Sequence, residues 1–138
     1  MMSVLAWMVS ACGSDKAKNA GKTEQQERTD GVEVLYFHGK QRCPTCKAIE
    51  DETQRLVEAK YARQLEEGAL AFKSVDITED EALADKYEVT WSSLIVVDYD
   101  EGKETAENMT EFAFANARTA PDTFRKKLAA QIDRMLND

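Results

Sequence analysis

One segment decides how this chain folds: residues 39–50 read GKQRCPTCKAIE. It places Cys43 and Cys46 three positions apart, with Pro44 and Thr45 between them. A cysteine pair at this spacing can be a redox catalyst, half of a metal site or a structural disulfide. The elements on either side of the pair help to separate these alternatives.

The segment before the cysteines predicts a buried strand, and the segment after them predicts a helix. Residues 32–39 read VEVLYFHG, an apolar, β-branched and aromatic run that ends at Gly39. From Pro44 to about Glu66, apolar residues recur at helical spacing with charged residues between them, and Gly68 follows. The pair therefore lies between a strand and the start of an amphipathic helix.

The remaining elements follow in an order typical of a layered α/β domain. Residues 70–77 and 93–99 predict further strands, and residues 79–89 predict a short helix between them. Turn residues 100–103 lead into a polar fourth strand, expected to be antiparallel and at the sheet edge. The apolar pattern after Pro121 predicts a final helix packed on the sheet. A helix between the first two strands implies a parallel crossover.

This order, with the cysteine pair after the first strand, resembles the thioredoxin superfamily. The resemblance lies in GVEVLYFHGKQRCPTCKAIE, residues 31–50, and in FKSVDITEDEALADKYEV, residues 72–89. It implies an α/β thioredoxin-like domain over residues 32–138, with a central mixed sheet of about four strands flanked by helices. It also implies a protein without a cofactor.

The position of the cysteines favours redox chemistry. Cys43 is expected to cap the helix, where unpaired backbone N–H groups and the helix dipole stabilise a thiolate. Pro44 suits the first helical position. Cys46, one turn further on the apolar side, is expected to stay shielded and then to resolve a mixed disulfide formed on Cys43.

Basic side chains near the pair either favour the thiolate or are ordinary surface residues, and the sequence does not favour one interpretation over the other. Lys40, Arg42 and Lys47 lie between His38 and Ile49, a stretch without any acidic residue. His38 is a possible proton carrier, although a structural strand-end histidine is the preferred interpretation.

The other interpretations of the pair remain open but less favoured. A zinc site needs further ligands, and His38 and Cys12 are the remaining histidine and cysteine of the chain. No metal is therefore expected. A disulfide that closes so short a loop would restrict the unfolded chain little.

The chain departs from the family pattern at two places. Thioredoxin-like oxidoreductases normally carry a cis-proline facing the cysteines, but residues 90–98 read TWSSLIVVD, with Ser92 or Ser93 in that place. Trp91, Ser92 and Ser93 are expected to line the substrate groove, Trp91 without a catalytic role. The acid that the family often buries beneath the cysteines is also missing, since the strand holds Leu35, Tyr36 and Phe37 there.

The N-terminus predicts export and lipidation. Residues 1–12 read MMSVLAWMVSAC, an uncharged apolar run too short to span a bilayer. Its Val-Ser-Ala-Cys ending resembles the bacterial lipobox, which implies a lipid on Cys12. No Lys or Arg precedes the apolar run, unlike an ordinary export signal. Residues 13–31 are polar and without apolar periodicity, as in a flexible tether.

Chain length and net charge limit the classes of partner that the protein is expected to bind. The 138 residues suit one domain, and the net charge of -8 argues against nucleic acid binding. We expect a monomeric, lipid-anchored thiol-disulfide oxidoreductase of the bacterial cell envelope, in the periplasm or at the outer membrane. Its partner would be a protein dithiol or disulfide.

A non-catalytic adaptor, or a redox subunit of a larger reductase complex, is the alternative. The stretch YFHGKQRCPTCKAIE, residues 36–50, resembles bacterial thioredoxin-like proteins labelled nitrophenyl compound nitroreductase subunits. Because the sequence shows no binding motif for an electron-carrying cofactor, that resemblance implies a partner subunit.

Overall fold

A computed structural model describes residues 30–137 of the chain. Nine elements follow one another in this part: β1 (Asp30–His38), α1 (Pro44–Lys60), α2 (Ala62–Glu67), β2 (Leu70–Asp76), α3 (Glu81–Lys86), β3 (Ser93–Asp100), β4 (Lys103–Asn108), α4 (Thr110–Asn116) and α5 (Pro121–Leu136).

The strands form one mixed four-stranded sheet in the order β2-β1-β3-β4. β1 runs parallel to β2, with Val34 opposite Phe72, and antiparallel to β3, with Val34 opposite Val96. β4 pairs antiparallel with β3 and forms the edge of the sheet. This confirms the predicted α/β fold, its parallel crossover and its edge hairpin.

Alternate residues of β1 supply the two faces of the sheet. Val32, Val34 and Tyr36 belong to the core cluster that α1, α4 and α5 complete. Leu35 and Phe37 belong to a smaller cluster on the other face, which α3 covers. Both faces of the central strand are therefore buried, which explains why its sequence is continuously apolar.

The structure differs from the predicted elements at three places. The helix predicted from Pro44 to about Glu66 is divided at Tyr61, which has φ −118° and ψ 25°. The sequence pattern does not predict α4, and β1 begins at Asp30, before the expected start of the domain. Gly68 ends α2 with φ +83°, a conformation that glycine adopts without strain.

The break at Tyr61 comes from tertiary contacts. The Tyr61 side chain is buried, and its hydroxyl donates to Asp133 Oδ1 at 2.6 Å, with the Ala129 carbonyl oxygen 3.1 Å away; both residues lie on α5. These contacts anchor the end of α1 on α5.

The predicted signal segment, residues 1–12 with Cys12, lies outside the described residues, as does nearly all of the predicted tether. Across residues 30–137, none of the helices is both long and apolar enough to cross a membrane.

Candidate active site

The two cysteines occupy unlike positions at the start of α1. Cys43 is the N-cap residue and is exposed, whereas Cys46 is only 6% exposed. They form a disulfide with their Cα atoms 5.0 Å apart. An incoming sulfur can therefore approach Cys43 but not Cys46.

A backbone N–H group at the start of α1 donates to the Cys43 sulfur. The Cys46 N–H donates to Cys43 Sγ at 3.1 Å, and the Cys43 carbonyl oxygen accepts the first helical hydrogen bond from the Lys47 N–H at 3.0 Å. Pro44, at the first helical position, has no N–H to leave unpaired. Sulfur at an N-cap is stabilised as an anion by such a backbone donor and by the helix dipole.

Two of the three basic residues around the cysteine pair form ion pairs with acidic side chains. Lys40 Nζ lies 3.7 Å from Asp76 Oδ2 and 3.6 Å from Glu79 Oε2. Arg42 forms an ion pair with Glu50 of α1. Within residues 30–137, only Lys47 of the three predicted cations has no ion-pair partner. The positive potential near Cys43 is therefore weaker than the sequence suggests, because acidic side chains offset Lys40 and Arg42.

Ser92 is the serine that faces the cysteines. Its hydroxyl donates to Cys46 Sγ at 3.4 Å, and its side chain is buried. The Ser93 hydroxyl instead donates to the Trp91 carbonyl oxygen at 3.1 Å. Residues 30–137 contain no cis peptide bond, so the chain enters β3 through trans bonds at Ser92, where the thioredoxin-like oxidoreductases that the sequence resembles carry a cis-proline.

Tyr36 lies beneath the pair, at one of the β1 positions where the sequence lacks the acid often buried in the proteins that it resembles. Its hydroxyl donates to the Cys46 carbonyl oxygen at 2.8 Å, and its side chain is fully buried. Burial raises the pKa of Tyr36, although the nearby Arg42 guanidinium and Ser92 hydroxyl act in the opposite direction. The phenol therefore stays neutral and positions the first turn of α1.

A groove of about 680 Å³ opens beside the disulfide. Trp91 forms one of its walls and is 60% exposed, the one large hydrophobic side chain within residues 30–137 that is exposed. The Trp91 ring stacks on Phe114 of α4, with centroids 5.3 Å apart and planes 18° apart. The remaining lining residues are Gly39, Gln41, Arg42, Cys43, Cys46, Ile77, Thr90 and Ser92.

Sequence reasoning missed Phe114 and the contact made by Tyr36. Phe114 lies on the unpredicted helix α4, where the buried residues Met109 (N-cap), Ala113 and Ala117 (C-cap) follow a four-residue spacing. That spacing was the available signal, but alanine contributes too little apolar surface for it to stand out.

The remaining candidates lie away from the sulfurs or face inward. His38 Nδ1 is 3.0 Å from the Gly39 carbonyl oxygen, and its ring stacks on Tyr36. Glu33, the nearest acid on β1, is buried and pairs with Lys73 at 2.9 Å. In the described part of the chain, no group of three or more His, Cys, Asp or Glu side chains is placed to hold a metal ion.

Neither a protein-family model nor a curated protein matches this chain. Among solved structures, a thioredoxin of Malassezia sympodialis has a TM-score of 0.50 at 18% identity, covering 78% of this chain and 79% of that one. Crystal form I of ERdj5 has a TM-score of 0.51 at 15% identity, covering 77% of this chain and 13% of that one. Fasciola hepatica thioredoxin has a TM-score of 0.49 at 23% identity, covering 78% and 83% of the two chains.

The first two similarities establish the fold. The described chain is an α/β protein with a thioredoxin fold. It carries a Cys-x-x-Cys disulfide at the N-terminus of its first helix.

Proposed function

We propose that this protein is a thiol-disulfide oxidoreductase that exchanges disulfides with a partner protein through Cys43 and Cys46. The observation that carries the proposal is the asymmetry of the pair. Cys43 is exposed and its sulfur accepts a backbone N–H at the helix N-terminus, whereas Cys46 is buried behind it. An exposed nucleophile with a shielded resolving thiol is what such exchange requires.

The exchange balances in two steps. A partner thiolate attacks the Cys43 sulfur, a bond forms between these two sulfurs, and the Cys43–Cys46 bond breaks with its electron pair on Cys46. A second partner thiolate then attacks the partner sulfur of the mixed disulfide and releases Cys43 as a thiolate. Together these steps oxidise the partner by two electrons and reduce the Cys43–Cys46 disulfide to two thiols. The same steps in reverse reduce a partner disulfide.

We further propose that the protein acts in a bacterial cell envelope, held by a lipid on Cys12. The support is the apolar segment that ends in Val-Ser-Ala-Cys. Radiolabelled palmitate should enter the wild-type chain in growing bacteria and should not enter Cys12→Ser. Equal labelling of the two chains would rule out this anchor.

Alkylation of the reduced protein tests the asymmetry. Iodoacetamide should modify Cys43 with an apparent pKa clearly below the value of about 8.5 for a free cysteine. Cys46 should react at least about tenfold more slowly, because a buried thiol is inaccessible. Mass mapping of peptides separates the two sites. Equal, slow reaction of both thiols would contradict the proposal.

Trapping tests the exchange itself. The Cys46→Ser chain should accumulate a mixed disulfide on Cys43 when mixed with envelope extract, because the resolving thiol is missing. The matched control is Cys43→Ser, which keeps the same number of cysteines and should trap far less. Absence of any adduct on Cys46→Ser would overturn the enzyme assignment.

A second candidate is a thioredoxin-fold adaptor, or a redox subunit of a larger reductase complex. The trans backbone at Ser92, in place of the family's cis-proline, favours it, as does the exposed Trp91 beside the groove. An adaptor would retain its partner when Cys43 and Cys46 are both serine, whereas an exchange enzyme would lose covalent capture.

A further inference from the structure

Ser92 is the side chain that touches the buried sulfur of the redox pair. Its hydroxyl donates to Cys46 Sγ at 3.4 Å, and both side chains are only 6% exposed. Within the described residues, no other side chain hydrogen bonds to that sulfur. A proline at this position would have no donor to offer.

We propose that Ser92 is a catalytic residue whose hydroxyl holds the Cys46 sulfur as an anion whenever the Cys43–Cys46 bond breaks. The inference rests on the proposed thiol-disulfide exchange and adds the group that receives the leaving sulfur. When a partner thiolate attacks Cys43, the electron pair of the broken bond passes to Cys46, which later takes a proton from water. A stabilised leaving thiolate departs faster.

Burial strengthens the effect of the Ser92 hydrogen bond on the Cys46 thiolate. In a site shielded from water, a donor aimed at a developing negative charge acts more strongly than in solution. The same hydrogen bond assists the reverse direction, because Cys46 must become a thiolate before it attacks the mixed disulfide on Cys43.

The other charged and titratable groups around Cys46 do not replace Ser92. The Tyr36 hydroxyl from β1 donates to the Cys46 carbonyl oxygen and not to the sulfur. The Arg42 guanidinium is paired with Glu50 on α1. Asp51, also on α1, acts on Tyr36 as a negative charge and would oppose a thiolate. Cys43 is the other member of the pair.

The first test titrates the Cys46 thiol in full-length Cys12→Ser, Cys43→Ser protein by the ultraviolet absorbance of the thiolate. Adding Ser92→Ala should raise the pKa of Cys46 by about one to two units, as expected for loss of a hydrogen bond to a charged group. Ser92→Thr keeps a hydroxyl and should return the pKa to within about half a unit of the Ser92 protein. An unchanged pKa in Ser92→Ala would overturn the inference.

The second test measures the rate at which dithiothreitol reduces the disulfide in the Cys12→Ser chain. Ser92→Ala should slow reduction about three- to tenfold, because the leaving thiolate loses its donor. Ser92→Gly removes the same hydroxyl and takes the place of Ser92→Ala in this measurement if Ser92→Ala does not fold. An unchanged rate in a folded variant would contradict the proposal.

Thr53→Val is the matched control. It removes another buried hydroxyl of the same fold, one on α1 without a hydrogen-bond partner in the described residues, and leaves Cys46 untouched. Neither the pKa of Cys46 nor the reduction rate should change by more than about a tenth of the Ser92→Ala effect. An equal effect of Thr53→Val would assign Ser92 a merely structural role.

The two proposals fail in different ways. If dithiothreitol does not reduce the wild-type disulfide and Cys46→Ser captures nothing, the exchange function fails. The titration of Cys46 in the Cys43→Ser chain requires no exchange, so it still decides whether Ser92 stabilises the thiolate.

Discussion

At the scale of single residues, surroundings rather than chemical type distinguish Cys43 from Cys46. Cys43 Sγ accepts the Cys46 N–H at the open end of α1, and Cys46 lies beneath it against Ser92. The same rule applies to the two buried phenols, Tyr36 and Tyr61, since each hydroxyl donates to a defined acceptor. A buried polar group is tolerated because its hydrogen bond replaces the one lost to water.

Asp133 carries a residue-scale prediction on stability and pH. It accepts hydrogen bonds from the Tyr61 hydroxyl at 2.6 Å and from Lys60 Nζ at 3.1 Å. The hydrogen bond from Tyr61 holds the pKa of Asp133 below its ordinary value of 3.8. A carboxylate with a lowered folded pKa stabilises the protein above its unfolded pKa, and this contribution is lost as pH falls through the folded pKa.

We therefore expect Asp133→Asn to lower the free energy of unfolding at pH 7 by about 0.5–1 kcal/mol, a modest value because the side chain is half exposed. The difference should shrink as the pH is lowered below about 4. Urea unfolding at several pH values measures it. In Asp133→Asn, the amide oxygen can still accept the hydrogen bond from Tyr61, so the variant mainly removes the charge. If the difference in unfolding free energy does not vary with pH, the charge of Asp133 is not its cause.

At the scale of elements, the β3–β4 hairpin turn shows how backbone conformation selects residue type. The hairpin turn has Glu101 at φ 52° and Gly102 at φ 83°, between the paired residues Asp100 and Lys103. Positive φ at both central positions is the geometry of a type I′ turn, which matches the twist of paired strands. Glycine accepts this conformation, whereas glutamate adopts it with strain.

Glu101→Asn should therefore stabilise the hairpin, because asparagine tolerates positive φ and Asn-Gly is favoured in this turn. The expected gain in the free energy of unfolding is about 0.5–1 kcal/mol. Gly102→Ala is the opposing control and should destabilise by a similar or larger amount. Chemical denaturation compares them, and a loss of stability in Glu101→Asn would contradict the turn assignment.

At the scale of the whole molecule, three distant segments meet at the groove. The turn after β1 brings Arg42 and Cys43, the loop before β3 brings Trp91, and α4 brings Phe114. The stacked Trp91 and Phe114 rings present an exposed apolar surface next to an exposed sulfur. Exposed aromatic side chains of this kind are frequent anchors for protein partners.

If partners bind there, Trp91→Ala should lower the yield of mixed disulfide on the Cys46→Ser chain about tenfold. The rate of reduction by dithiothreitol should fall far less, because that small dithiol needs only the sulfurs. Trp91→Phe should retain part of the yield, since it keeps an aromatic ring that can pack on Phe114. Equal losses in both assays would indicate damage to the redox pair rather than to a docking surface.

The sequence by itself determined the order of the main strands and helices and the position of Cys43 at the start of α1. These follow from local patterns: the apolar run of β1, the helical period after Pro44 and the apolar stripe after Pro121. Each of these signals lies within one continuous segment.

The tertiary structure alone decided the rest, because those features depend on contacts between distant segments. Tyr61 divides the predicted helix because α5 offers acceptors to its hydroxyl. Ser92 and not Ser93 faces Cys46 because the direction of each side chain depends on how the chain enters β3. The charges of Lys40 and Arg42 are partly offset by acidic side chains that only folding brings near. Local pattern predicts elements, whereas the environment of a side chain is set by what packs against it.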